Sequence, residues 1–227
     1  MGLVGIGLYT FGEASRLTNI PAREISRWLV GSVGSNKGEK TYYEPLWESE
    51  LNKEKVRGIS FHDLLELRFV KHFREVGVSL QTIRIASTHA RELFGSSYPF
   101  TSRKFKTDGK TIFCEALEES GEASLLDLKK RQYALEKIVS PSLYASIEFS
   151  EDETALRWFP LQNSKKIVID PQRAFGKPVL TSEGLRTDIL FEAYLAEGKD
   201  KKKVSRLFDV PVKAVELAIQ FEERMVA

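Results

Sequence analysis

Residues 9–29, YTFGEASRLTNIPAREISRWL, decide the fold at the N-terminal end of the chain. Thr10 and Glu13 have the spacing of a capping box, which predicts that a first helix begins after Thr10. Asn19 and Pro21 then interrupt the pattern, because Asn tolerates a left-handed conformation and Pro suits the start of a new helix. The apolar residues that follow recur at helical spacing, and they are Ile25, Trp28 and Leu29. Two short helices joined by a tight turn are typical of a helix–turn–helix unit.

The outer face of the second predicted helix carries short polar and cationic side chains. Such side chains reach phosphates and base edges in a DNA groove. The segment 31–40, rich in Gly, Ser, Asn and Lys, would then form a wing over the DNA backbone. The residues that we expect to contact DNA are Thr10, Arg23, Ser26, Arg27, Lys37 and Lys40. The same spacing also fits a plain helical hairpin, so the residues alone leave both interpretations open.

Two further helices are predicted before residue 94. Ser60 is a plausible N-cap with Asp63 at its third position, and a thick apolar face follows it to Phe73. Gly77 ends this helix, and Ser79 caps the next one, which runs to Leu93. We therefore expect residues 9–93 to be a mainly helical unit.

Residues 94–165 are predicted to be a β-rich region with one helix. Alternation around Asp108-Gly109 indicates a hairpin over 103–113. Amphipathic spacing predicts a helix over 125–139, and short strands are expected at 147–149 and 155–159. The remaining chain contains a further β run at 167–171 and three helical stretches, which are 188–196, 201–208 and 212–226.

Composition excludes several classes of protein. The 227 residues include 34 Lys and Arg against 32 Asp and Glu, a net charge of +2, so a highly basic nucleic-acid-binding tail is excluded. The single cysteine, Cys114, excludes an internal disulfide and a zinc site made of several cysteines. No apolar run is long enough to span a bilayer and no signal peptide is recognised, so we expect a cytoplasmic protein without a membrane partner.

Enzymatic motifs are missing from the sequence. The histidines, His62, His72 and His89, form no metal-protease motif, and there is no nucleophile elbow or phosphate-binding loop. Cys114 is interpreted as a small buried residue in a strand, and the acidic run 115–122 as a solvated loop. We expect no enzyme, no cofactor and no metal site.

Two segments resemble MerR-type winged helix–turn–helix domains. Residues 9–17, YTFGEASRL, resemble the opening of those domains, and residues 63–84 resemble the helices that follow their wing. The family's Arg-Tyr pair near the end of the second helix is Arg27-Trp28 here. The resemblance implies a DNA-binding domain over residues 9–93.

The C-terminal part carries a second resemblance. Residues 169–180, IDPQRAFGKPVL, residues 185–190, LRTDIL, and the helices of 198–221 resemble the domain of unknown function 433. That small tri-helical domain is associated with antitoxins of type II toxin–antitoxin pairs, often beside a PIN-like ribonuclease. The whole arrangement resembles VapB-like antitoxins that join both modules. The resemblance implies an antitoxin-associated domain over 166–227, with partner-binding residues Arg173, Phe175 and Arg186.

The charges of the last two helices are a separate indication of what that domain contacts. The final helix offers Lys213 as its one early cation, and Glu216 follows it. Because phosphate contacts dominate affinity for DNA, this charge pattern favours packing, dimerisation or partner binding over DNA contact.

We therefore predict an α+β fold in three parts. They are an N-terminal MerR-like winged helix–turn–helix (9–93), a central β-hairpin region with one helix (94–165) and a C-terminal tri-helical domain (166–227). The function that these features favour is that of an antitoxin that neutralises a PIN-like ribonuclease toxin by direct binding. As a homodimer it would also repress its own operon by binding operator DNA. The alternative is a stand-alone transcriptional regulator without a toxin partner.

Overall fold

The computed structural model describes residues 5–36, 39–53, 55–122 and 128–226. Its helices are α1 (Phe11–Thr18), α2 (Ala22–Val30), α3 (Glu50–Lys53), α4 (Phe61–Glu75), α5 (Leu80–Phe94), α6 (Arg103–Glu119), α7 (Leu128–Ile138), α8 (Pro141–Tyr144), α9 (Thr187–Ala196), α10 (Lys201–Leu207) and α11 (Val212–Val226). The strands are β1 (Ser32–Asn36), β2 (Glu39–Tyr43), β3 (Ile147–Phe149), β4 (Ala155–Trp158), β5 (Ile167–Val168) and β6 (Val179–Leu180). They pair as three antiparallel hairpins, β1–β2, β3–β4 and β5–β6. The α+β class predicted from the sequence is confirmed.

The predicted helix starts in the N-terminal part are confirmed by their caps. The Thr10 hydroxyl accepts a hydrogen bond from the Glu13 amide at 3.1 Å, and the Glu13 carboxylate accepts one from the Thr10 amide at 2.8 Å. Ser60 and Asp63 form the same reciprocal pair at the start of α4, with distances of 3.0 and 2.9 Å. Ser79 caps α5. Each cap satisfies amide groups that have no partner inside the helix.

The hairpin predicted around Asp108-Gly109 is wrong, because residues 103–119 form the helix α6. Its buried residues recur at helical spacing, namely Phe105, Gly109, Ile112, Phe113, Ala116 and Leu117. A Cβ at Gly109 would lie 2.7 Å from the Phe105 ring and 2.9 Å from Val139, so this glycine allows close helix packing rather than a turn. Cys114 lies on this helix and not on a strand, and most of the acidic run 115–122 is helical rather than loop.

The rest of the middle region follows the prediction more closely. Helix α7 lies within the predicted range 125–139, although residues 123–127 lie outside the described residues. The predicted strands 147–149 and 155–159 pair as β3 and β4. Because α6 and α8 add to α7, the described residues of 94–165 hold three helices and one hairpin, so the expectation of a β-rich region with one helix is corrected.

The C-terminal helices form where the sequence predicts them, to within one residue at each printed end. Asp209, in the turn between α10 and α11, has a left-handed backbone with φ of 52°. Strand β5 also forms, and its partner β6 was not predicted.

Buried apolar residues form one large cluster, a smaller C-terminal one and a group of three, Phe159, Val168 and Val179. The large cluster extends from Tyr9 to Ile169 and includes Phe73 of α4 together with Phe100, Phe105 and Phe113. The rings of these three lie 4.8–6.0 Å from that of Phe73, which is normal aromatic packing. Interior packing therefore continues across the predicted boundary between residues 93 and 94. The smaller cluster joins α9, α10, α11 and the β5–β6 hairpin.

Candidate nucleic-acid and partner interfaces

Helix α2 presents its two arginines to solvent. Arg23 and Arg27 are exposed and lie one helical turn apart, while Ser26 between them is half-buried. The opposite face is buried through the predicted apolar residues Ile25, Trp28 and Leu29. Because residues four apart share one face of a helix, the two guanidinium groups are offered to the same ligand surface.

The corner between α1 and α2 is fixed by buried small and apolar residues. Ala14 is fully buried and Ile20 is 2% exposed, so the two helices approach closely. Asn19 has a φ of 53°, the left-handed conformation expected for it. The Thr18 hydroxyl donates to the Ala14 carbonyl at 2.6 Å. The two helices therefore meet at a tight corner, and the polar face of α2 is turned outward.

The hairpin β1–β2 is held beside the C-terminal end of α2. Gly31 makes the connection with a φ of +86°, and a Cβ there would lie 2.6 Å from the Tyr43 carbonyl oxygen. The Tyr42 hydroxyl donates to the Val30 carbonyl at 3.3 Å, and Arg84 of α5 donates to the Glu44 carbonyl at 2.7 Å. The hairpin therefore extends next to the exposed face of α2, where a wing would be.

The structure describes one of the two lysines predicted for the wing. Lys40 is exposed on β2, whereas Lys37 lies outside the described residues. Sequence reasoning missed the aromatic character of the hairpin surface, since Tyr42 and Tyr43 are 54% and 46% exposed. Their sequence, Thr41-Tyr42-Tyr43, indicated a strand but not that both rings face solvent.

Thr10 is exposed at the start of α1, as a DNA-contacting residue would be. Its hydroxyl is already engaged in the capping box, donating to the Glu13 carboxylate at 3.1 Å and accepting from the Glu13 amide. The structure thus gives Thr10 a role in stabilising the start of α1.

The predicted partner-binding residues lie on neighbouring segments. Phe175 is 62% exposed, and it is held outward by consecutive left-handed residues, with φ of 49° at Ala174 and 53° at Phe175. Arg173 is exposed, and its Nη2 lies beside Gly184. Arg186 forms a fork with the Asp188 carboxylate, in which Nε lies 3.0 Å from Oδ1. Such strain in an exposed aromatic segment is typical of functional surfaces.

A groove of about 330 Å³ separates α1 from α9 and α11. Glu13 on one wall pairs with Lys177, and Glu222 on the other accepts a hydrogen bond from the Thr187 hydroxyl. Burial would raise the pKa of Glu13, but the hydrogen bonds from Lys177 and Thr10 outweigh it and lower the pKa. Burial raises the pKa of Glu222. The carboxylates Glu13 and Glu222 of this groove are therefore used in contacts that join segments of the chain.

Neither a candidate metal site nor a membrane-spanning helix occurs within the described ranges. No group of three or more His, Cys, Asp or Glu there could hold a metal ion. No helix within those ranges is long and apolar enough to cross a membrane.

The buried Asp63 carboxylate accepts three hydrogen bonds. Its donors are Trp47 Nε1 at 2.8 Å, the Ser60 amide and the Ser49 hydroxyl.

The chain is similar to a curated protein and to a solved structure. The chain is 28% identical over 197 residues to a Mycobacterium tuberculosis protein named "Putative antitoxin VapB45", and the match covers 82% of each chain. The crystal structure of Rv2018 from Mycobacterium tuberculosis superposes with a TM-score of 0.61 at 22% identity, covering 94% of this chain and 97% of that one. The likeness to the solved structure shows a shared fold. No protein-family model matches the chain.

Proposed function

We propose that the chain is the antitoxin of a type II toxin–antitoxin pair. The observation that carries this proposal is the similarity to the VapB45 protein, which extends over 82% of both chains and so involves every region of the fold. The toxin partner would be a PIN-like ribonuclease, the kind of partner that the resemblance to VapB-like antitoxins implies. The chain would act by binding and not by catalysis.

The partner surface that we propose is the segment around Phe175. An exposed aromatic side chain on a conformationally restricted turn loses little freedom on binding, which makes it a suitable anchor in a protein interface. Arg173 and Arg186 lie on the adjacent segments and carry positive charge. Ribonucleases of the PIN-like class hold their metal with carboxylates, so cations at the rim of the interface would complement them.

The second part of the proposal is autorepression through operator DNA. A MerR-like unit would place the exposed face of α2 in a major groove, with Arg23, Ser26 and Arg27 toward the DNA and Lys40 of the hairpin over the backbone. Lys37 and Thr10 belong to the same proposed set. Two copies related by a two-fold axis would match a palindromic operator. The exposed arginines and the adjoining hairpin support this arrangement.

The antitoxin proposal is tested with the PIN-like ribonuclease encoded beside this chain in its native host. The full chain is mixed with the purified ribonuclease, and cleavage of a single-stranded RNA is followed as the chain is titrated. We expect inhibition that saturates near an equal molar ratio. Phe175→Ala should weaken inhibition at least tenfold, as expected for loss of an interface anchor. Leu93→Ala is the matched control, because Leu93 is equally exposed (65%) but lies on α5.

The negative results of this experiment are informative in different ways. Unchanged ribonuclease activity at a large excess of chain would exclude neutralisation and would favour the stand-alone regulator. Inhibition that Phe175→Ala and Leu93→Ala reduce equally would retain the antitoxin but would move the partner surface elsewhere.

A further inference from the structure

A second pocket, on another side of the molecule, is lined by cations and neutral polar groups. Its volume is about 580 Å³, and it lies between α4, α8, the loop after β4 and the end of α11. Its charged residues are Arg68, Lys165 and Arg224. Serine hydroxyls and side-chain amides make up the rest of its polar lining, and among the described residues that line it none is acidic.

Arg68 is half-buried and, among the described residues, lacks the carboxylate partner that a cation removed from water normally has. Its guanidinium lies 4.3 Å from the centroid of the Trp158 ring, and its Nη2 is 3.5 Å from the Ser146 hydroxyl, the outer limit of a hydrogen bond. The Nη1 atom is buried and makes no hydrogen bond within the described part of the chain. No carboxylate of the described ranges forms an ion pair with this arginine. Burial lowers the pKa of Arg68 to about 10, so the side chain keeps its charge at neutral pH.

The carboxylate that pairs with Lys165 is shared with a second cation. Glu148 lies 2.6 Å from Lys165 and 3.4 Å from Arg157. Arg157 also faces Asp170, at 3.9 Å. Arg224 is exposed at the rim. The charges around the pocket therefore leave an excess of positive charge centred on Arg68.

We propose that this pocket binds the oxyanion group of a small organic molecule, with the half-buried Arg68 as its ligand. Removing a cation from water without a counter-charge is unfavourable, and an oxyanion that accepts charge-assisted hydrogen bonds would offset that cost. A guanidinium presents several N–H donors in a planar fork that matches phosphate and carboxylate groups. The volume is in the range of small-molecule sites and larger than a single inorganic ion needs, so the bound group would be part of a larger molecule.

The experiment measures binding of defined anions to the full chain by calorimetry and by thermal unfolding. The probes are inorganic phosphate, pyrophosphate, citrate and adenosine monophosphate, each at the same ionic strength as a chloride reference. We expect saturable binding of at least one probe, with a rise in melting temperature that follows its concentration. Arg68→Met should weaken that binding at least tenfold, since a buried charged hydrogen bond is lost.

Matched variants separate this site from general charge effects. Arg224→Gln changes an exposed rim residue, so it should fold normally, and it should weaken binding by a smaller factor. Arg103→Met is the control, because Arg103 also stacks on an aromatic ring, that of Phe149 at 5.1 Å, but does not line this pocket. It should leave affinity unchanged.

Two results would overturn the proposal. The first is the lack of saturable binding for all four probes. The second is binding that Arg68→Met, Arg224→Gln and Arg103→Met reduce to the same extent, which would mean that the anions respond only to net charge. If Arg68→Met does not fold, the contrast between Arg224→Gln and Arg103→Met decides the question. A response to phosphate and pyrophosphate but not to citrate would identify a phosphorylated ligand, and the reverse would identify a carboxylate.

Discussion

At the scale of single residues, Glu66 of α4 is a carboxylate enclosed in the main apolar cluster. It is 1% exposed, and Oε1 accepts from the amide and the hydroxyl of Thr101, both at 3.2 Å. Oε2 has no hydrogen-bond partner within the described ranges. Burial disfavours the charged form and raises the pKa of Glu66 to about 8, although the bonds from Thr101 act in the opposite direction.

The raised pKa of Glu66 predicts that stability falls as pH rises. Between the usual glutamate pKa and about 8, the folded chain holds a proton that the unfolded chain has lost, so the free energy of unfolding decreases with pH. The slope from this one group is at most about 1.4 kcal/mol per pH unit. Glu66→Gln should remove this contribution, as measured by urea unfolding at pH 5, 6, 7 and 8. The exposed Glu92→Gln is the control and should keep the wild-type profile.

Identical pH profiles for Glu66→Gln and the parent chain would contradict this assignment. The sequence around this residue, Leu64-Leu65-Glu66-Leu67-Arg68-Phe69, correctly predicted an apolar helix. It gave no sign that Glu66 is buried and Arg68 half-buried, because a helix of this amphipathicity has room for charges on a solvent face. Their neighbours come from distant parts of the sequence, since Thr101 bonds Glu66 and Trp158 of β4 packs on Arg68.

At the scale of elements, α2 and the β1–β2 hairpin make a test of DNA contact possible. Arg23→Ala and Arg27→Ala should each weaken binding to a duplex of the chain's own promoter, because each would remove a phosphate or base contact. If the lost contact is to phosphate, the slope of log affinity against log salt should fall by about 0.9. The measurement is fluorescence anisotropy at several salt concentrations.

Lys213→Ala is the matched control for this test. Lys213 is an exposed cation in the first turn of α11, the position in the C-terminal helices that corresponds to Arg23 in α2. Its loss should change affinity little, since that helix has a poor charge pattern for DNA. A larger loss with Lys213→Ala than with either arginine variant would assign DNA binding to the C-terminal helices instead.

Helices and strands could be predicted from the sequence where the local sequence signal agrees with the tertiary packing. The capping residues at Thr10, Ser60 and Ser79 mark helix starts correctly because a cap bonds amides only two or three residues away. The Asp108-Gly109 pair is equally local, but there the packing of Gly109 against Phe105 and Val139 overrides the turn preference. Partner strand β6 has two residues, too few for alternation to be recognised.

At the scale of the whole molecule, two short contacts join the entry of α1 to the C-terminal part. The Tyr9 hydroxyl, which is buried, donates to the Gly176 carbonyl at 2.6 Å, and the Leu8 amide donates to the Phe175 carbonyl at 3.1 Å. Lys177 adds its ion pair with Glu13. These contacts join residues more than 160 positions apart. No sequence pattern indicates these contacts, because neither segment alone carries a signal that it pairs with the other.

The Tyr9 link predicts a measurable loss of global stability. Tyr9→Phe keeps the ring but leaves the Gly176 carbonyl without its donor, which should lower the free energy of unfolding by about 1–3 kcal/mol. Tyr133→Phe is the control and should cost less than about 0.5 kcal/mol, because Tyr133 is exposed. Urea unfolding with two spectroscopic probes would show the change. Equal stability of both variants would mean that water replaces the lost bond.

The contact between residues 8–9 and 175–177 also bears on how such a chain can be assembled by recombination. The helical segments α1–α2 and α9–α11, at the two ends of the chain, are each small enough to be exchanged between genes as cassettes. Here the exchange of either unit would separate the Tyr9 hydroxyl from its acceptor and Lys177 from Glu13. The large aromatic cluster would also be cut, since it draws residues from both sides of position 93. The two ends of this protein are therefore expected to have been inherited together.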